Sequence, residues 1–387
     1  MSTLKVNAIR QTAASSDAVT LASDGTCTVK ATNNLSNRNL IINGAMQVAQ
    51  RGTSSTTHGY ETVDRFTTSV SGADEAPTQA QVDVASGTTP YTLGFKKAFK
   101  ITNGNQTGGA GAADRVEIIC KLEAQDIANS GWNYLSSSSY ITLSYWVKSS
   151  VAQNFNLFLK TSDGTAKQYP METGSLSADT WTKITKTIPG DSGLQIDNDN
   201  GEGLRIDFPI FYGTDLTNNS ASLNAWANYN GAARTPDQTS TWYTTNDATF
   251  ELTGVQLEVG DVATDFEHRS YADELARCQR YYQFIGKDGT NAAFAAGFTT
   301  TSDFYGYGAL PGGPMRASPT IAVDGTTSHI NYTHTAVGAS ASSISNQGSG
   351  NRSFAIRIQS STSTTDKSGA YARVDNAATA LTFSSEL

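Results

Sequence analysis

The sequence predicts an all-β protein. A jelly-roll β-sandwich is expected over residues 38–270, a connector helix over 271–283 and a smaller C-terminal β-domain over 284–387, behind a short N-terminal segment of residues 1–37. Three observations carry this. Only 16% of the 387 residues are charged and 38% are hydrophobic, so Ser, Thr, Gly and Asn fill much of the rest. Such a composition suits many short strands joined by turns rather than helices. Apolar and polar residues alternate in several separate stretches, the period of half-buried strands. A clear helical stripe occurs once, at Tyr271, Leu275, Cys278 and Tyr282.

In the N-terminal segment, Leu4, Val6 and Ile9 form one apolar patch. Val19 and Leu21, then Cys27 and Val29, flank the turn Ser23-Asp-Gly25. Two short strands bury too little surface to fold alone, so the segment is expected to order against sister chains or a particle socket. The sandwich then opens with Leu40, Ile41 and Ile42 as a strand ended by Asn43-Gly44. Ile141, Leu143, Tyr145 and Val147 share one face of a strand, and so do Phe155, Leu157 and Leu159. Ile184 with Ile188 and Leu204 with Ile206 and Phe208 add two more. Asn200-Gly201 predicts a hairpin joining Leu194/Ile196 to Leu204/Ile206.

The stretch Phe250–Gly260 closes the sandwich. Phe250 and Leu252 have one parity, while Val255, Leu257 and Val259 have the other, with Gly254 at the switch. A parity change at a glycine predicts a β-bulge. Ser270 and Asp273 form a capping pair for the helix. Beyond it, Phe354, Ile356 and Ile358 alternate, Leu310–Arg316 breaks the pattern with Pro and Gly, and the tail is expected to form a second small sandwich. The Ser/Ala/Gly-rich stretch 338–350 reads as an exposed loop.

Net charge is −8, which argues against a nucleic-acid partner needing a basic face. No apolar run approaches the ~18 residues a membrane-spanning helix needs, so no membrane insertion is expected, and the N-terminus lacks a signal-peptide core. Cys27, Cys120 and Cys278 are too far apart for a disulfide framework or zinc spacing. His58, His268, His329 and His334 are scattered, and no nucleophile elbow, His-Glu-x-x-His or phosphate loop is present. The chain is therefore expected not to be an enzyme, although a glycosidase would need only two carboxylates. Asp197–Gly203 is rich in oxygen ligands but lacks EF-hand spacing, so no cofactor or metal is placed.

A sugar offers apolar C–H faces and hydroxyls, so a lectin site wants aromatic rings beside amides and carboxylates. Three clusters have that composition: Trp132 with Tyr134, Trp226 with Tyr229, and Trp242 with Tyr243. These six are the candidate ligand-binding residues. The alternative is that the three tryptophans pack loops over the ends of the sandwich.

Gly254-Val-Gln-Leu-Glu-Val-Gly260, Ala263–Tyr271 and Glu274–Tyr282 resemble a segment of tail-fibre and structural proteins of tailed phages. Asn39–Met46, Arg51-Gly52 and Asp64-Arg-Phe66 resemble the opening of the same module, and the likeness covers roughly residues 38–320. The resemblance implies a carbohydrate-binding-module-like jelly roll, a homotrimer, and a place in the virion tail after assembly in the host cytoplasm. It implies contact with other virion proteins through the N-terminal segment and with host surface polysaccharide through exposed loops. Jelly rolls of this kind often hold a structural calcium, for which the sequence places no ligands. Glu258 and Glu267 lie inside the shared motif and read as hydrogen-bonding or ion-pairing groups. The resulting reading is a short tail fibre or spike that binds host glycans. The alternatives are a structural part without receptor contact (head decoration, tail adaptor or baseplate connector) and a glycan depolymerase.

Overall fold

Strand Thr249–Val259 lies inside a six-stranded antiparallel sheet, between Tyr140–Ser149 and Lys97–Thr102. The register against Tyr140–Ser149 slips between Thr253 and Gln256, and Gly254 has φ +63°. The bulge that the parity switch predicts is therefore present, and it keeps Phe250, Leu252, Val255 and Leu257 all buried. The structure is a computed structural model. It describes residues 6–10, 12–13, 17–23, 25, 27–29, 37–287, 292–334, 337–360 and 368–387.

The remaining strands of this sheet are Thr182–Pro189 beyond Tyr140–Ser149, and Thr78–Asp83 and Ser54–Ser55 beyond Lys97–Thr102. A second six-stranded sheet runs Ala227–Asn228, Lys167–Ser175, Asn154–Thr161, Glu202–Tyr212, Arg115–Glu123, Phe66–Ser71. The inward faces of both sheets form one apolar core. Edge-to-face ring pairs cross it, Tyr145 with Phe208 at 5.2 Å and Phe155 with Phe250 at 5.0 Å, a favoured geometry for aromatic burial. The fold is an all-β jelly-roll sandwich with a helix and a smaller β region after it.

Several expectations need correction. Leu40–Ile42 is not a strand. Its backbone bonds irregularly, with Leu40 N–H donating to the Leu257 carbonyl and Val255 N–H to that of Gly44, and Asn43 and Met46 take φ +61° and +58°. Residues 194–200 form no hairpin arm. Leu194 and Ile196 are buried as anchors of a coil. The helix is Tyr271–Gln279, capped by Ser270 accepting from Asp273 N–H at 3.2 Å. Its buried residues are Glu274 and Cys278, whereas Tyr271 is exposed and Tyr282 begins a strand.

The tail is not a second sandwich. Strands Ala292–Thr299, Asp303–Ala309, Ser353–Ser360, Val337–Ser349, Ile330–His334 and Gly369–Val374 close into a barrel. Tyr282–Gly286, Ala380–Ser384 and Thr320–Asp324 form a three-stranded sheet beside it. The supposed loop 338–350 is thus mostly strand. Ala339 and Ala341 point into a barrel already filled by the stacked rings of Phe304 and Tyr332, and small side chains are what such an interior accepts. In the N-terminal segment, Ala8–Ile9, Val19–Leu21 and Cys27–Val29 pair antiparallel. Leu4 and Asp24 lie outside the described residues, as does the side chain of Cys27.

A polar clamp ties the sandwich to the helix and the C-terminal end. Glu267 accepts from Asn37 N–H and Asn39 N–H, Glu274 accepts from Asn43 N–H, and Arg269 donates to the carbonyls of Ile41 and Asn39 and to both glutamates. Arg65, buried, pairs with Glu386 and lies 3.4 Å over the Tyr281 ring. Arg280 makes two bonds of 2.7 Å to buried Glu123. Charges removed from water need such partners.

Candidate functional site

Five of the six aromatic candidates pack in or against the sandwich core, and Trp132 and Tyr134 meet edge to face at 6.1 Å. Trp132 is buried, with its indole N–H donating to the Ser139 carbonyl at 3.3 Å. Trp242 and Tyr243 are both 0% exposed. Trp242 donates to the Thr249 carbonyl, while Tyr243 stacks on Phe211 at 4.4 Å and donates to Asp114. These three rings are core and offer no face to a sugar. Tyr134 and Trp226 are half-buried, and their polar atoms already bond the carbonyls of Ile196 and Pro189. Tyr229 is half-buried too, with the Lys160 ammonium 4.6 Å over its ring.

A different aromatic group lines a pocket of about 260 Å³ on the outer face of the first sheet. Its floor is Ser144 and Trp146 on strand Tyr140–Ser149, with Lys183 opposite Trp146 on the neighbouring strand. Alternation decides this arrangement, because Tyr145 and Val147 face the core and their neighbours must face outward. The walls are Phe95, after a short helix at Thr89–Thr92, and the crossing segment Thr264–His268. Phe95, Phe266 and His268 meet pairwise at 4.9–5.1 Å.

The bulge opens this pocket. Gly254 lies on its floor, and a Cβ there would meet the Phe95 ring at 2.8 Å and the Trp146 ring at 3.2 Å. The His268 Nε2 lies 2.8 Å from the Leu93 carbonyl. A carbonyl only accepts, so Nε2 carries the proton and the ring is fixed as a wall. Thr264 is held by Glu258, which accepts from its N–H at 2.9 Å and its hydroxyl at 2.6 Å.

Among the described residues, the side chains of Ser144, Trp146, Lys183 and Asp265 make no hydrogen bond. Lys183 and Asp265 are exposed and Trp146 is half-buried. The pocket therefore presents ring faces together with a hydroxyl, an indole N–H, an ammonium and a carboxylate, none with a hydrogen-bond partner among the described residues. Apolar C–H faces and hydroxyls of a sugar match that set, and no hydrogen bond joins the Ser144 hydroxyl to His268.

A larger cleft of about 700 Å³ lies elsewhere, between residues 37–42, the helix Ala124–Ala128 and Arg277. It contains no aromatic ring, and its Asn37 and Asn129 are engaged by Arg277 and Asn198. Sequence reasoning missed the pocket. The available signal was Trp146, a large ring at a position that alternation assigns to the solvent face.

Among the described residues, no group of three or more His, Cys, Asp or Glu side chains could hold a metal ion. No helix among them is long and apolar enough to cross a membrane. Glu258 and Glu267 bond Thr264 and the entry segment rather than facing each other across a cleft.

No protein-family profile matches the sequence, and no curated protein matches it. Solved structures do. One is the enzymatically active domain of tailspike protein 4 from bacteriophage CBA120, with 8% identity and a TM-score of 0.31. The match covers 58% of this chain and 22% of that one, so the chain spans about a fifth of the tailspike domain's length. Another is the tandem of two CBM22 domains from Paenibacillus barcinonensis, with 10% identity, a TM-score of 0.28, and 92% and 100% of the two chains covered. A third is a family 11 carbohydrate-binding module from Clostridium thermocellum in complex with a mixed-linked tetrasaccharide, with 11% identity, a TM-score of 0.25, and 56% and 98% covered.

Proposed function

We propose that the chain is a passive glycan-binding adhesion protein, the receptor-binding part of a tailed-phage tail fibre or spike. The observation that supports it is the bulge-opened pocket, in which Trp146 and Phe266 offer ring surface beside unbonded Ser144, Lys183 and Asp265. The binding is lectin-like: one sugar ring per pocket, held by stacking and a few hydrogen bonds, with no bond made or broken. The phage assignment rests on the resemblance of residues 38–320. A homotrimer would present three pockets and raise avidity by ~10²–10⁴ where the surface geometry lets them bind together. The test is retention of the intact chain on a panel of neutral and charged bacterial surface polysaccharides, with reducing-sugar release measured in parallel. Retention without sugar release supports the reading. Sugar release would replace it with a depolymerase, and sedimentation as a monomer at micromolar concentration would remove the trimer.

A second reading has its own observation. The residues that carry the resemblance are largely absorbed in the clamp, Glu267, Arg269 and Glu274 holding residues 37–43. A shared motif that only holds the fold together would equally serve a virion part without a receptor. Labelling of virions at the tail tip favours adhesion, and labelling around the head favours the structural part.

A further inference from the structure

The opposite sheet carries a charge arrangement that its own stability does not explain. Across four adjacent strands, Gln168, Lys160, Arg205 and Lys121 stand side by side as cross-strand partners. Three neighbouring cations repel one another in such a row, and like charges directly opposite destabilise a sheet. Two of the three are neutralised. Lys121 pairs with Glu202 at 3.2 Å and donates to the Leu387 carbonyl oxygen at 2.8 Å. Arg205 bonds buried Asp207 at 2.8 Å. Among the described residues, Lys160 has no acid within ion-pair distance and makes no hydrogen bond. It is half-buried, and its ammonium lies 4.6 Å over the ring of Tyr229.

One more cation, from outside the row, closes the group. Arg234, half-buried, lies 5.3 Å from the ring of Tyr212 and donates to the Gly231 carbonyl at 3.2 Å. The groups acting on Lys160 are Arg205 and Arg234 on the cationic side and Glu202 and Asp207 on the acidic side. Burial acts first and Arg205 second, and together they push its ammonium pKa below the ordinary lysine range. Glu202 and Asp207 act the other way and offset part of this. On a chain of net charge −8, the three cations Lys160, Arg205 and Arg234 face two acids, Glu202 and Asp207, a local excess of positive charge that an anion would relieve.

We infer that Lys160, Arg205 and Arg234, with the ring of Tyr229, form a second binding site that takes the acidic group of a charged saccharide. The anion would bridge Lys160 and Arg234, and the sugar ring would lie along Tyr229. A carboxylate and a phosphate share this chemistry, because both accept charge-assisted hydrogen bonds from guanidinium and ammonium groups. Three cations and a single ring suit one acidic sugar rather than an extended polyanion. The site stands on the opposite sheet from the aromatic pocket and is independent of it.

The test uses the intact chain and three soluble probes: oligogalacturonate, a phosphorylated mannose oligomer and a neutral gluco-oligosaccharide. Calorimetric titration is run on the wild type and on Lys160→Glu, Arg234→Gln and Trp146→Ala. The expected result is that at least one acidic probe binds, that binding weakens as salt rises, and that Lys160→Glu and Arg234→Gln each weaken it tenfold or more. The acid binding that Lys160→Glu removes should persist in Trp146→Ala. Galacturonate binding alone identifies a carboxylate site, and phosphomannose binding alone a phosphate site. Lys160→Gln should also melt no lower than the wild type, because it removes repulsion from the row. The inference is overturned if neither acidic probe binds, if Lys160→Glu binds as well as the wild type, or if Trp146→Ala abolishes acid binding while Lys160→Glu does not.

Discussion

Gly254 and Phe95 fit only because one of them has no side chain: a Cβ on Gly254 would lie 2.8 Å from the Phe95 ring, at a backbone φ of +63°. Both facts oppose any other residue there. Gly254→Ala is expected to lose about 1–3 kcal/mol from left-handed backbone strain alone, seen as a lower urea midpoint. It should also reduce sugar binding, because the displaced ring is a wall of the pocket.

Trp242 tests the opposite case, an aromatic with a lectin-like neighbourhood that is in fact core. Trp242→Ala should cost about 3–5 kcal/mol in denaturant unfolding. Sugar affinity per folded molecule should not change.

The contrast between these residues shows what the sequence made legible. Alternation placed Ile141–Val147, Phe155–Leu159 and Leu204–Phe208 correctly, because one face of each strand meets the core. The parity switch at Gly254 also located the bulge. The pocket was not legible, because Phe95, Trp146 and the Gly254–Phe266 stretch are far apart in the chain and meet only when the crossing segment lies back over the sheet. Trp132, Trp242 and Tyr243 misled because polar loops that fold over sandwich ends have the composition of a sugar site. Leu40–Ile42 misled because Leu40 N–H bonds the Leu257 carbonyl and Ile41 N–H the Asn39 side chain, with carboxylates holding the flanking Asn39 and Asn43 N–H groups, rather than a ladder. Residues 338–350 misled because the barrel interior takes the small Ala339 and Ala341 while Ser340, Ser342 and Ser345 are exposed, and both residue types also mark loops.

Glu386 tests the connection between the C-terminal end and the sandwich. Its carboxylate pairs with buried Arg65 and, at 3.1 Å, with Arg51. Glu386→Ala leaves Arg65 without its counter-ion and should cost about 3–5 kcal/mol. The double variant Arg65→Met/Glu386→Leu should recover most of that loss, measured by a double-mutant cycle on thermal or urea unfolding.

Asp64 gives a pH dependence. Burial raises its carboxyl pKa from 3.8 to about 6, against lowering by Arg51 and by hydrogen bonds from Gln50. A folded pKa above the unfolded one means that the contribution is fully present below about pH 4 and is lost as pH rises through about 6. Wild type should therefore lose roughly 2–3 kcal/mol relative to Asp64→Asn between pH 4 and pH 7, from about 1.4 kcal/mol per pKa unit. Paired unfolding curves at those two pH values measure it, and an unchanged difference would contradict the assignment.

The most direct measurement of the adhesion account is glycan binding by Trp146→Ala beside wild type, both checked for equal melting temperature. The account predicts that wild type is retained on at least one neutral bacterial surface polysaccharide. Trp146→Ala should bind it at least tenfold more weakly, with its fold unchanged. Equal binding of that neutral polysaccharide by the two proteins, or no binding by wild type to any neutral glycan, would contradict it.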